Sequence, residues 1–247
     1  MAKGEKRTLQ WKGDPPSDRD LEAVLGESNF QNPWFLKKGW EASRPICVLP
    51  QSGTAFLISD NTVMTNFHVL RTPAYAEGLA AVFGYEQGPG GLALTPDPYP
   101  LDPTRLFFNN EDLDYAICAV TGNPALKYGV IDITKPGKIR MDGRVNIVQH
   151  PNTGLKKVAI RDNGVKFFDE RIIQYWADTE HGSSGSPVFD EDWTIVGLHY
   201  TTASANIDGR NIYYNEAHRI DAIVEDLKKR TPVFQGQFSL SAMARAT

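Results

Sequence analysis

Gly182-Ser183-Ser184-Gly185-Ser186-Pro187 sets a serine between two glycines just before the strand-like Pro187-Val188-Phe189. Such a turn can expose a nucleophile, because the glycines omit the Cβ atoms that would block a substrate or forbid the dihedrals. It can also converge backbone N–H groups on an oxygen that gains charge. A plain Gly/Ser loop between strands has the same composition, so the chemical reading needs a base and an orienting acid elsewhere. A serine hydroxyl attacks once an imidazole takes its proton and a carboxylate fixes that imidazole's tautomer. Of the five histidines, His150 lies in a Pro-Asn-Thr-Gly turn and His218 is expected to open a helix, so both read as structural or solvated. His181 is three residues before Ser184 and suits the lining of a cleft, while His199 ends a buried strand. His68 follows a β-run and starts a turn, which holds a ring at a sheet edge. Asp114 precedes the apolar run Tyr115 to Val120, and a buried carboxylate there is tolerated when it accepts from a histidine N–H. Its rival Asp112 is expected to face water.

These residues need elements that fix them. Ile46-Cys47-Val48-Leu49, Gly53 to Ile58, Thr62 to Thr65 and Leu113 to Val120 read as short strands bounded by turns. Residues 72–105, rich in Pro and Gly, read as long loops with short strands between them. The second half repeats the style at Val145 to Val148, Lys157 to Ile160, Ile172 to Trp176, Pro187 to Phe189 and Thr194 to Tyr200. Many short strands with Gly/Pro turns predict an all-β, antiparallel fold rather than βαβ units. The exception is a predicted helix over 215–231, where Ile220, Ile223, Val224 and Leu227 recur at helical spacing and Asn215 is the expected N-cap. Residues 1–44 are expected to be a polar leader with a helical turn or two near Leu21, followed by an aromatic packing arm (Phe30, Trp34, Phe35, Leu36, Trp40). Lys135-Pro136-Gly137 marks the boundary between halves at 45–134 and 135–214, and 232–247 is expected to be a loosely held tail.

The net charge of −4 argues against a nucleic-acid or anionic-membrane surface. The chain has no apolar run near the ~20 residues that cross a bilayer, and Met1 to Arg7 is charged where a secretory signal would be apolar. Cys47 and Cys118 sit in apolar strand-like runs as free thiols. A cytoplasmic setting is therefore expected. Neither HExxH nor paired CxxC spacing is present, so no metal or other cofactor is expected.

Thr65-Asn66-Phe67-His68-Val69-Leu70, Leu113-Asp114-Tyr115-Ala116-Ile117 and Gly182 to Pro187, in that order, resemble the three signature segments of trypsin-like serine proteases. The closest likeness is to the bacterial, disulfide-free branch, including glutamyl endopeptidases and intracellular trypsin-like domains of bacterial conflict systems. The resemblance covers roughly residues 45–230. It implies two six-stranded antiparallel β-barrels and a protein or peptide substrate, and, by analogy only, an antiviral setting. It implies Ser184 as nucleophile, His68 as general base and then acid, Asp114 as orienter, and the N–H groups of Gly182 and Ser184 as oxyanion hole. Tyr200, Thr201 and Thr202 match the edge strand that pairs with substrate backbone. Ser183 stands where the animal digestive enzymes carry an aspartate that pairs with a new N-terminus, and no IVGG-like activation site is present. Any restraint is thus expected from a regulatory protein partner or a mobile loop.

Specificity is divided. Asp178 matches the acidic pocket floor of trypsin and favours Arg or Lys at P1, the residue before the cleaved bond. Thr179 and His199 match the pair that binds acidic P1 side chains in glutamyl endopeptidases, and two matches against one favour Glu. A protease-like module that grips peptides without turnover is the alternative of a different class, and an esterase is a second.

Overall fold

The computed structural model of the chain describes residues 30–207 and 210–230. The turns expected near Leu21 and the tail 232–247 lie outside the described residues. Trp34 opens the compact unit to which all that follows belongs.

Six antiparallel strands close a barrel in the order β1-β2-β3-β6-β5-β4: β1 (Ile46–Leu49), β2 (Gly53–Ser59), β3 (Thr62–Thr65), β4 (Ala80–Phe83), β5 (Asp97–Asn110) and β6 (Tyr115–Val120). β1, β3 and β6 are buried on both faces, and the period of two sorts their side chains into two cores. Cys47, Leu49, Leu57, Val63, Cys118 and Val120 fill the barrel. Ile46, Phe56, Met64, Tyr115 and Ile117 point outward, against Val148, Phe189, Ile195 and Leu198 of the second half. Each such side chain contributes roughly 1.5–3 kcal/mol when fully buried. This second core clamps the two halves together, and the candidate site lies across their junction.

The Pro-rich stretch is no loop: Pro98, Pro100 and Pro103 lie inside the fourteen-residue strand β5. Leu101 N–H donates to Leu79, so odd-numbered residues there face β4. Pro100 faces β6 and offers only its carbonyl, which Thr121 N–H takes. The missing donors of Pro98 and Pro100 therefore cost no ladder bond to β4.

The second half is a seven-stranded sheet in the order β8-β7-β11-β12-β13-β10-β9, not a closed six-stranded barrel. Its strands are β7 (Asn146–Gln149), β8 (Lys157–Ala159), β9 (Val165–Phe168), β10 (Ile172–Tyr175), β11 (Pro187–Phe189), β12 (Ile195–Ile207) and β13 (Arg210–Arg219). It curls around Ile147, Val165, Ile173, Tyr175, Val188 and Val196 until the bridge Arg144–Gly164 joins the lead-ins to β7 and β9. β12 runs well past the expected end at Tyr200, and β13 replaces the start of the expected helix.

Four α-helices and a 3-10 turn (Pro151–Thr153) complete the described fold: α1 (Trp34–Ser43), the single turns α2 (Pro73–Ala76) and α3 (Ala125–Tyr128), and α4 (Ile220–Arg230). Asn215 is not an N-cap but a β13 residue paired with Tyr175 and Thr202. The sheet registers of Asn215 to Arg219 override helical propensity there. From Ile220 the i, i+3, i+4, i+7 spacing seats Ile220, Ile223, Val224 and Leu227 on the shared core. The expected aromatic arm is α1, but it is only half buried. Phe35 and Gly39 pack on Trp193, whereas Trp34, Leu36 and Trp40 are exposed.

Candidate active site

His68 sits in the turn that ends β3, and Asp114 sits just before β6, the neighbour of β3. Asp114 takes a left-handed backbone (φ 42°), a conformation aspartate tolerates better than most residues. Its carboxylate is thereby turned back on His68. Oδ1 accepts His68 N–H at 2.9 Å, and Oδ2 accepts the ring Nδ1–H at 2.7 Å. Asn66 Nδ2 holds the Asp114 carbonyl at 2.9 Å. An ionised carboxylate can only accept, so Nδ1 carries the ring proton and Nε2 keeps its lone pair. The imidazole is about 40% exposed and the carboxylate about 15%, so the ring reaches solvent while the carboxylate is covered.

Ser184 comes from the other half. Gly182 and Gly185 both have left-handed φ (91° and 85°) and both lack room for a side chain. A Cβ on Gly185 would lie 2.1 Å from the Thr54 carbonyl and 2.3 Å from Thr65 Oγ1. The serine turn is thus pressed on β2 and β3, beside the strand end that carries His68. Thr54 N–H donates to the Ser184 carbonyl at 2.8 Å, and Thr54 Oγ1 donates to the Gly182 carbonyl at 2.9 Å. Gly185 N–H bonds to the His199 carbonyl at 2.9 Å. Ser183 is fully buried, and its Oγ accepts Glu180 N–H at 3.1 Å. The Ser184 hydroxyl donates to the Tyr200 carbonyl at 3.4 Å. Among the described hydrogen bonds none joins it to His68, and neither Gly182 N–H nor Ser184 N–H is a donor.

A family model described as a trypsin-like peptidase domain matches residues 53–198, more than half of the chain. The chain belongs to that family. In this trypsin-like peptidase domain the match spans His68, Asp114 and Ser184. The uncharacterized protein y4fB of Sinorhizobium fredii is 28% identical over 263 residues, covering 85% of this chain and 39% of that protein. The secreted RxLR effector protein 73 of Plasmopara viticola is 28% identical over 170 residues, covering 62% of this chain and 42% of that one. The chain thus spans about two fifths of the length of these curated relatives. The active form of the Rv3671c protease from M. tuberculosis superposes with a TM-score of 0.54 at 19% identity, covering 84% of this chain and 94% of that one. A Glu endopeptidase gives 0.54 at 20% identity, covering 76% and 90%. At these identities the likeness shows a shared chymotrypsin-type fold.

Around the serine, His199 is buried and its Nδ1 lies 2.9 Å from Tyr175 Oη. Burial, helped by the nearby His68, pushes the His199 pKa down to about 3, so the ring is neutral at pH 7. Tyr200 falls at a register shift of β12, and its ring stacks on His218 with centroids 4.3 Å apart. β11 covers β12 only as far as Leu198. Thr201 and Thr202 pair with Glu216 and Asn215 on β13. Thr179 Oγ1 and Thr202 Oγ1 converge on Asn215 Oδ1 at 2.6 and 2.8 Å, while Asn215 Nδ2 donates to the Ala177 carbonyl. Asp178 is exposed. With Val158, Ile160, Trp176, Thr179 and Asn215 it lines a cavity of about 1130 Å³ that none of His68, Asp114 and Ser184 reaches. The His181 ring is exposed and its carbonyl accepts Asn152 N–H. His150, expected in a structural or solvated turn, is fully buried. His218 lies in β13, not at the start of α4.

Thr54, Asn152 and Asn215 were not singled out as site residues from the sequence. A threonine inside an apolar strand and an asparagine in a turn are ordinary there, and only the fold brings Thr54 and Asn152 to the serine loop and Asn215 to Thr179 and Thr202.

Proposed function

We propose that the chain is a serine endopeptidase in which His68, Asp114 and Ser184 hydrolyse peptide bonds of a protein substrate. The observation that carries the reading is the pair of hydrogen bonds from His68 to Asp114, which leaves Nε2 free to act as base at the junction where the serine loop docks. Ser184 Oγ leaves the Tyr200 carbonyl, gives its proton to Nε2 and attacks the scissile carbon, while Asp114 stabilises the imidazolium. The free N–H groups of Gly182 and Ser184 take the oxyanion. His68 then protonates the leaving amine, and water repeats the sequence to release the acyl group. A substrate strand pairs with the uncovered edge of β12 beyond Leu198, at Tyr200 and Thr201.

Tyr175 favours an acidic P1 side chain. Burial raises its pKa far above normal, so it keeps its proton. If His199 donated, the phenol hydrogen of the fully buried Tyr175 would lack an acceptor; if Tyr175 donates, the donor left over is the His199 Nε2–H, on a ring that keeps slight exposure. The His199 proton then sits on Nε2, a donor suited to a carboxylate. Asp178 belongs to the cavity of about 1130 Å³ away from Ser184 in this reading and does not select Arg or Lys.

Fluorophosphonate labelling of the wild type against Ser184→Ala tests the activity, and a proteome-wide cleavage profile of the same pair tests selectivity. Labelling at Ser184 with cuts after Glu is the expected result. An unreactive Ser184 would leave a peptide-binding module, and cuts after Arg alone would return the specificity to Asp178.

A further inference from the structure

The hole formed by Gly182 and Ser184 is useful only if the His181–Gly182 peptide points its N–H at the substrate. In a trans peptide the C=O and N–H point in opposite directions, so whatever holds the His181 carbonyl also aims the Gly182 hydrogen. That holder is Asn152 N–H, from the turn after β7. The turn lies directly behind Gly182, where an added Cβ would come within 2.6 Å of Thr153 N and 2.9 Å of the His150 carbonyl. Asn152 can present its N–H there because its backbone is left-handed (φ 53°, ψ 28°), a conformation costly for most residues and least so for glycine and asparagine. Its side chain adds a second tie, with Nδ2 donating to Glu180 Oε2 at 2.7 Å. Thr54 Oγ1 holds the next carbonyl, that of Gly182.

We propose that Asn152 is a positioning residue that sets the oxyanion hole by holding the His181 carbonyl away from the substrate. The proposal rests on the peptidase reading above. It also accounts for a serine at 183: a loop held by Asn152 and Thr54 from behind requires no buried aspartate and no inserted N-terminus. A peptide turned the other way would put the His181 carbonyl where the oxyanion should bind and would leave Asn152 N–H without its acceptor.

The test is the series Asn152→Gly, Asn152→Ala and Asn152→Val in the full chain, assayed on one cleaved peptide and with a peptidyl trifluoromethyl ketone as transition-state mimic. Glycine retains the left-handed backbone and the N–H, alanine strains it, and a β-branched side chain does not fit it. Expected is a fall in kcat of about 100-fold for valine, the loss typical of one oxyanion donor. Alanine should fall between, and glycine should recover most of the rate. KM should stay within about threefold while ketone affinity falls with kcat, a split that mere loss of fold would not give. A crystal structure of the valine variant should show the His181 carbonyl turned toward Ser184. An unchanged peptide there, or a glycine variant as slow as the valine one, overturns the proposal even if the wild type is an active peptidase. A wild type whose Ser184 does not react with a fluorophosphonate removes the peptidase reading, and this proposal with it.

Discussion

The proposed base, His68, and the proposed nucleophile, Ser184, are held in opposite ways. His68, Asp114 and Asn66 fix one another with three hydrogen bonds of 2.7–2.9 Å, and all three residues belong to the first barrel. The Ser184 loop is held mostly from outside its own segment: Thr54 and Thr65 press on it from β2 and β3, Asn152 from the turn after β7, and His199 from β12. The His68–Asp114 pair is therefore self-contained, whereas the Ser184 loop takes its form only once both halves have docked. A lesion at the base should cost chemistry with little stability, and one behind the serine loop should cost both.

Asp114→Asn gives the sharpest break. An amide can donate to His68 Nδ1, which favours the tautomer with the proton on Nε2 and removes the base. The change should lower kcat by about 10,000-fold while KM and Tm move little, measured by steady-state kinetics and thermal melting. A large drop in Tm would show that the pair is also a structural brace and would erase the contrast. Thr54→Val is the counterpart. It is nearly isosteric and removes the hydroxyl that gives to the Gly182 carbonyl and takes from His150 N–H at 3.0 Å. Two buried backbone groups lose their partner, for about 2–4 kcal/mol of stability and a fall in Tm of roughly 5–10 °C. Activity at permissive temperature should fall about tenfold, well short of the loss at Asp114.

The same contrast explains what could be read without coordinates. His68, Asp114 and Ser184 carry their local signals with them: a β-run ending in a turn, an acid before an apolar strand, a serine between glycines. The glycines at 182 and 185 were legible for the right reason, since both have positive φ and no space for a side chain. Thr54 and Asn152 carry no such signal, because their roles are set by contacts 128 residues apart in the first case and by a turn's handedness in the second. Two of the departures in the fold share a cause. An N-cap residue at Asn215 and prolines over 98–103 are local cues, and in both places sheet partners decided the outcome. The long β12–β13 hairpin was missed because its threonines, asparagines and serine lack apolar alternation.

Acid gives a third probe of the contrast, and among the histidines with displaced titration it falls on the nucleophile side. His150, whose N–H meets Thr54, and His199, whose carbonyl meets Gly185, are both buried and neutral. Burial pushes each ring's pKa down to about 3, with Lys156 adding to the effect at His150 and His68 at His199. The hydrogen bond from His150 Nδ1 to the Gly154 carbonyl works the other way but does not offset burial. The unfolded chain binds these protons near the usual histidine value of about 6.5, so between that pH and about 3 it holds more protons than the folded chain. Stability is therefore fully present above the unfolded value and declines as the pH falls toward the folded one. Thermal melting from pH 8 to pH 4 should show Tm flat at the top and dropping below about 6.5. His150→Gln should flatten part of that slope, whatever its effect on stability at pH 8. If the slope is unchanged, His150 is not a group that acid must charge to unfold the chain, and the acid sensitivity of the serine side then rests on His199 and on His218, whose pKa burial also lowers.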